Sequence, residues 1–431
     1  MEIEEIYKLY KECEGLCLSQ YSCRPGQMCI IRTSANADRF AEVALARGAK
    51  YVIAPSSCHT KGVIRVADPN RLALELARYH KQSLPNLKVI AVTGSCGKTS
   101  TKVLLESVLG TKYNVIGTLK NHNSYMGCAM RILACNETTD FAVLEMGIVN
   151  QTVMEKYCLA TDPDFAIITK IGKAHLRGFG GEEGVKIGKG RLYKYVAEKG
   201  GTVFLNTDDR ILVELAKTYG VKKKTTVPYS RSISKVEIFP ADSDNPYLKV
   251  NIPGLGDIQT NFVGEYNTDN VLAAIAVGKH FGVSDGDIVK GIGACKPEWL
   301  RSQILDWKGL TVVLDTFNSN PTSCFTSLRC FADTYKDKRK AVILGDMQEL
   351  GEWSDGLHRE LIDLVDSLGI ETAYLVGPEL LKTNDGKGKA KKYYFSRVMQ
   401  LAEFLKENPV AEDVALVKGS RRIGLERVFK V

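Results

Sequence analysis

The chain has 431 residues, 44% of them hydrophobic and 25% charged, with a formal net charge of +8. That length exceeds one ordinary core and predicts about three domains. No apolar run approaches the roughly 20 residues that cross a bilayer, and the start lacks the basic-then-apolar layout of a secretory leader, so the expected location is cytoplasmic, without membrane insertion.

Residues 1–85 read as a first unit. Short strands are predicted at 51–54 and 63–66, and helices at 39–48, closed by Gly48, and at 70–81. Cys13, Cys17, Cys23 and Cys29 cluster without a C-x-x-C pair, which favours reduced thiols over a zinc site in this stretch. Residues 82–86 are a plausible linker.

The second unit spans 86–296. Its apolar run at 87–92 predicts a buried strand, and Val92-Thr93-Gly94-Ser95-Cys96-Gly97-Lys98-Thr99-Ser100-Thr101 follows it, with a helical pattern beyond. Strand, glycine turn, Lys-Thr, helix is the layout that holds a nucleotide triphosphate. Gly94 and Gly97 let the backbone N–H groups turn toward phosphate oxygens, and the helix start adds its positive dipole end. Lys98 would reach the outer phosphates and the Thr99 hydroxyl would hold Mg²⁺. The helix start also predicts a lowered thiol pKa for Cys96 and sensitivity to oxidation, without a catalytic role.

Further strands are predicted at 141–144, 165–169 and 202–205, alternating with helices, as in a mostly parallel sheet covered on both faces. Glu145 follows the first of these, across from Thr99, where a carboxylate can hold Mg²⁺. His175 follows the second, and beside a nucleotide loop it reads as close to a metal. Lys186 and Lys189 lie on the next helical stretch, where a solvated basic face is the plain alternative. Between 225 and 262 the pattern shifts to antiparallel excursions at 236–239 and 247–252, before a helix at 269–281.

From 297 to 431 an α/β alternation restarts, with strands at 310–314, 340–344, 372–376 and 414–417. Polar turns follow three of them: Asp315 to Pro321, Gly345-Asp346-Met347 and Lys418-Gly419-Ser420-Arg421. Together they suggest one ligand-facing rim at the carboxyl ends of a doubly wound sheet. The lysine runs at 222–224 and 387–392 read as solvated loops, and no basic block interleaves with aromatics, so a nucleic-acid partner is not expected. The positive balance suits a nucleotide instead.

Taken together these blocks resemble the Mur ligase family, and in particular its branch that adds D-alanyl-D-alanine to a UDP-muramoyl peptide. The phosphate loop matches the family's T-G-x-x-G-K-T. Leu144-Glu145-Met146-Gly147 matches its Glu-Met-Gly, and Gly172-Lys173-Ala174-His175-Leu176 the segment around its metal-binding His. Gly264, Asn267, Asn270 and Ala273-Ala274 match the block beside adenine, and Asp315 to Pro321, Gly345 to Gly351, Lys418 to Arg421 and Glu426 match the C-terminal blocks.

The resemblance implies three α/β domains: a small N-terminal acyl-substrate domain (1–85), a central P-loop ATPase domain with a mostly parallel sheet (86–296), and a Rossmann-like C-terminal domain (297–431) that closes over ATP and binds the amine. It implies ATP-dependent joining of a carboxylate to an amine through an acyl phosphate. Two Mg²⁺ ions are implied, one at Thr99 and Glu145, the other at His175 and a carbamylated Lys189. Lys98, His175 and Lys189 would be catalytic. The loop residues from Thr93 to Ser100, with Asn267, Asn270, Arg301 and Asp315, would bind ATP. Asn121, Asn123, Ser124, Asn318, Asn320, Lys418 and Ser420 would face the acid or the amine. The substrates would be small molecules, an acid such as a UDP-linked peptide and an amine or dipeptide, and the enzyme a monomer.

Departures concentrate where the acid should bind. The first-domain D-S-R block is not evident; Asn121-His122-Asn123-Ser124-Tyr125-Met126-Gly127 replaces N-x-N-N-x-x-G; Gln151-Thr152-Val153 replaces Gly-Glu-Ile; Arg191 and Tyr266 replace a Glu and a His. Two alternatives therefore stand beside the wall-precursor ligase: a paralogue joining or cyclising another acid and amine in a cofactor or natural-product pathway, and a catalytically silent nucleotide-binding subunit.

Overall fold

A computed structural model describes residues 2–119, 122–298 and 300–429. Its N-terminal sheet has four parallel strands in chain order, Leu16–Cys17, Met28–Ile30, Tyr51–Pro55 and Val63–Val66. Helix Pro69–Gln82 leaves that sheet and packs on helices Tyr125–Leu133 and Met154–Thr161 of the central unit. Asp68 caps it and proline stands at its first position, where the missing N–H costs nothing. The expected linker is a tight turn rather than a free tether, because Leu84 is buried in the shared core with Leu87.

The central sheet is six-stranded and parallel. Strand Lys88–Thr93, which leads into the phosphate loop, lies between Phe141–Glu145 and Phe165–Ile168. Both faces are covered: Val89 and Ala91 point into one core cluster, Ile90 and Val92 into another. This is the burial that makes parallel strands read as continuous apolar runs. Edge strands Val115–Gly117 and Thr226–Tyr229 complete the sheet; they are short and only partly buried, so their apolar signal was too weak to predict. Strands Glu237–Phe239, Tyr247–Ile252 and Gly256–Val263 form a separate antiparallel sheet.

The third sheet runs Gln303–Trp307, Leu310–Asp315, Val414–Lys418, Lys340–Gly345, Thr372–Val376 and Lys391–Phe395, with only the first strand antiparallel. The last strand corrects the reading of 387–392 as loop throughout. Lys391 and Lys392 begin an edge strand, and Lys392 pairs with Asp366 at 2.8 Å. Charged residues on an edge strand discourage pairing with another chain. Among the described residues no helix is long and apolar enough to cross a membrane.

Candidate functional site

The parallel register sets the site. Val92 pairs with Glu145 on one side, and Thr93 with Ile168 on the other, so the loop after Thr93 emerges between Glu145 and the segment leading to His175. Gly94 has φ +151°, and a Cβ there would lie 2.0 Å from Thr169 Oγ1. Only glycine fits that approach. The loop is then pinned from both sides: Thr93 Oγ1 donates to Met146 O at 3.0 Å, Ser95 N donates to Lys170 O at 2.7 Å, and Thr169 Oγ1 donates to Cys96 O at 2.5 Å. Gly97, at φ +82°, opens helix Lys98–Leu109, with Ser100 in its first turn.

Lys98 Nζ lies back over the loop, donating to Gly94 O at 2.8 Å. Thr99 Oγ1 donates to Glu145 Oε2 at 2.6 Å, and Asn123 Nδ2 to Glu145 Oε1 at 2.8 Å. Burial pushes the Glu145 carboxyl up, but Lys98 and Arg301, with these two hydrogen bonds, hold it below the ordinary carboxylate value. It therefore stays ionised at 3% exposure, beside a hydroxyl. Paired hard oxygens of this kind suit a magnesium ion.

Lys189 is 1% exposed, so it is no part of a solvated face. Its Nζ lies 5.5 Å from the Phe179 ring centre, and no carboxylate pairs with it among the described residues. Burial, then the neighbouring Lys98 charge, drives its pKa well below the ordinary lysine value. Lys186, one turn away, is a surface residue bonded to Glu183. Cys96 corrects another expectation: burial raises its thiol pKa and outweighs the lowering by Lys170 and Lys98.

Asn267 and Asn270 are buried and brace the loop helix. Thr101 Oγ1 donates to Asn270 Oδ1 at 3.0 Å, Asn270 Nδ2 to Asn267 Oδ1 at 2.8 Å, and Asn267 Nδ2 to Val263 O at 2.9 Å. Ser124 caps helix Tyr125–Leu133, accepting from Gly127 N. Asn121 lies outside the described residues.

The third unit meets this site directly. Asn320 caps helix Pro321–Thr334 and donates to Ser95 O at 3.3 Å; Thr322 Oγ1 accepts from Lys173 N at 2.9 Å. Glu349 contacts His175 Nδ1, and Arg177 N donates to Glu349 O at 3.0 Å. Arg301 stacks 4.0 Å over the Phe317 ring. Strands Leu310–Asp315, Val414–Lys418 and Lys340–Gly345 are neighbours, so their polar turns do share one edge. Lys418 Nζ donates to Asp315 Oδ2 at 2.7 Å and to Asn318 O at 2.9 Å. Asp346, however, is turned to the scaffold and accepts from Glu379 N and Leu380 N. On the same edge the buried hydroxyls of Thr316, Ser319 and Ser420, and Arg301 Nε, have no partner among the described residues. Unsatisfied buried polar atoms are uncommon and mark a place for a ligand or water.

Glu349, Thr118 and Thr169 were not singled out from the sequence. Thr118 Oγ1 accepts from Glu145 N at 2.6 Å and so fixes the carboxylate's strand end. Glu349 stands in the Gly345 to Gly351 block, which was its only sequence signal; Thr118 and Thr169 had none.

Residues 92–278 match the Mur ligase middle domain and residues 300–421 the Mur ligase glutamate ligase domain. The UDP-N-acetylmuramoyl-tripeptide–D-alanyl-D-alanine ligase of Bacillus subtilis (strain 168) is 29% identical over 405 residues, covering 91% of this chain and 86% of that one. A crystal structure of MurF from Acinetobacter baumannii superposes with TM-score 0.85 at 25% identity, covering 99% of this chain and 97% of that one. The MurF ligase of Thermotoga maritima, solved in complex with ADP, gives 0.84 at 24% identity, covering 98% and 97%.

Proposed function

The chain belongs to the Mur ligase family, and from that premise we propose that it is an ATP-dependent ligase joining D-alanyl-D-alanine to a UDP-muramoyl tripeptide in cell-wall precursor synthesis. The observation that carries the reading is the buried pair of Thr99 and ionised Glu145 beside Lys98 at the mouth of a glycine loop. The γ-phosphoryl group of ATP passes to the substrate carboxylate, giving ADP and an acyl phosphate. The incoming amine then attacks the acyl carbon, and phosphate leaves as the amide forms. Loop N–H groups and the Lys98 ammonium stabilise the charge on the transferring group and hold it in line.

Thr99 and Glu145 would hold one Mg²⁺, and His175 with Lys189 a second. Bound there, the ions supply Lewis-acid neutralisation of phosphoryl oxygens. Lys189 suits carbamylation because burial shifts a lysine toward the neutral amine, the form that reacts with carbon dioxide. The carbamate would turn a buried amine without a counter-charge into an anionic oxygen donor. Residues 1–85 would take the acyl substrate, with Asn123 at its reacting end; residues 86–296 would take ATP; and residues 297–431 would close over it. The unpartnered Ser319 and Ser420 hydroxyls, with Lys418 and Asn318, suit the carboxylate of the incoming dipeptide.

Incubation with UDP-N-acetylmuramoyl tripeptide, D-alanyl-D-alanine, ATP and Mg²⁺ tests the proposal. ADP release that requires both substrates, matched by pentapeptide product, is the expected result. Nucleotide binding without product from this pair would overturn the substrate assignment, and no nucleotide uptake at all would overturn the ligase.

A further inference from the structure

The N-terminal sheet brings three thiols together away from the nucleotide site. Cys17 and Cys29 are register partners on adjacent parallel strands, so their side chains leave the same face. Cys23, in the connection between those strands, folds back over them after the turn Gln20–Ser22. All three sulfur atoms lie within 4.8 Å of one another, and each residue is buried. Cys13, the fourth member of the sequence cluster, is not in the group; its Sγ donates to Leu9 O instead.

Three equivalent sulfurs around one ion, with bonds of about 2.3 Å, stand about 4 Å apart, a spacing this cluster can reach without moving its strands. We propose that Cys17, Cys23 and Cys29 form a three-thiolate site for a thiophilic d¹⁰ cation, with Cu(I) as the ion whose coordination they match. Two observations choose Cu(I) over Zn(II). Among the described residues no fourth Cys, His, Asp or Glu joins the group, whereas structural zinc is almost always four-coordinate. The core packed around them is apolar, with Ile31, Ala37, Ala41, Ala44, Val52 and Ala54, and its one further thiol, Cys58, stands outside the group and donates to Asp38 Oδ1 at 3.4 Å, so the surroundings offer no fourth ligand. Soft thiolates in low coordination number select monovalent copper.

Binding releases the three thiol protons and leaves a net charge of −2 on the CuS₃ unit. Arg47 offsets part of that charge: its Nε donates to Cys23 O at 3.1 Å, which sets the guanidinium beside the cluster. The ion would tie both strands to their connection, and so fix the face of the first unit on which the residues from Tyr21 to Gly26 are displayed.

The test is anaerobic titration of the reduced full chain with Cu(I) against a competing chelator. One tightly held ion with a shell of three sulfurs by X-ray absorption is expected. Cys17→Ser, Cys23→Ser and Cys29→Ser should each weaken binding at least about 100-fold, since even an outer partner of a metal ligand is worth 10- to 100-fold. Cys13→Ser should leave binding unchanged. A wild-type chain that takes up no more Cu(I) than the triple serine variant would overturn the site, as would Zn(II) bound with a mixed sulfur and oxygen shell in preference to Cu(I). A second measurement needs no variant. In mild denaturant Cu(I) should shield these three thiols from alkylation as mapped by mass spectrometry, and equal labelling with and without Cu(I) would overturn the proposal.

Discussion

Glu349 and His175 face each other across the cleft between the third and central units, and both hold left-handed backbone, at φ +61° and +54°. Such a conformation costs a non-glycine residue about 1–3 kcal/mol and persists only where the surroundings fix it. Here the fixing is mutual, because Arg177 N also donates to the Glu349 carbonyl. The pair is a latch between the third and central units.

Glu349→Ala should loosen that latch. A hydrogen bond to a charged group contributes about 1.5 kcal/mol at the low end, fitting for a half-exposed carboxylate, so ligation should fall about tenfold. Small-angle scattering should show a larger radius of gyration for the variant. The bond to His175 lowers the Glu349 pKa from its ordinary 4.5, so its contribution is complete above 4.5 and is lost as pH falls through the lower folded value. Wild-type scattering should expand in that acid range, and the variant's should not change there.

Thr99 and Glu145 make a sharper prediction. Thr99→Val keeps the shape of the side chain and removes the hydroxyl that bonds Glu145 at 2.6 Å. Calorimetry should show the magnesium-dependent part of nucleotide affinity lost and the magnesium-free part little changed. Ligation should fall about 10²- to 10³-fold, the scale of one lost electrostatic stabiliser. Equal loss with and without magnesium would show that the residue serves the loop rather than the ion.

Lys189 should separate activity from stability. In the uncarbamylated, metal-free chain a buried lysine without a counter-charge destabilises the fold, whether it keeps its proton or sheds it, so Lys189→Met should abolish ligation while raising the melting temperature. The sign with pH follows from the depressed pKa. Below the ordinary 10.5 the unfolded chain binds a proton that the folded chain does not, so the penalty grows as pH falls from 10.5 toward the folded value and is constant beneath it. The stability gain of the variant should therefore be full at low pH and vanish as pH approaches 10.5. Lys189→Ala should regain part of its activity with short carboxylic acids, and full activity without them would refute a carbamate role.

The residues that made the fold legible were those whose periodicity local physics enforces. The strand before Gly94 is buried on both faces and reads as an unbroken apolar run, and Gly94 and Gly97 occupy conformations that other residues resist. What stayed hidden depends on distant pairing. Nothing local to Lys189 announces burial, since Gly188 and Gly190 flank it and the apolar wall comes from Phe179. At Cys96 the helix start is visible in the sequence, and the burial that raises its thiol pKa is not. Val115–Gly117 and Lys391–Phe395 are edge strands whose partners supply the order that their own composition lacks.

Asn270 offers the last test, because its polar atoms can be read in two ways. If it served only to contact adenine, its removal would leave the nucleotide-free protein intact. The bonds instead run Thr101 to Asn270 to Asn267 to the Val263 carbonyl, tying the phosphate-loop helix to the helix Thr268–His280. Asn270→Ala strands a buried hydroxyl on one side and a buried amide oxygen on the other, each costing about 1–3 kcal/mol unless water enters. The nucleotide-free variant should therefore melt earlier, and Thr101→Val should add little to that loss in a double-mutant cycle, since both remove the same link. Nucleotide affinity should fall as well, because Gly97 packs against the Asn270 side chain, with a Cβ there only 2.8 Å from its oxygen. An unchanged melting temperature with weakened ATP binding would return Asn270 to the role of an adenine contact.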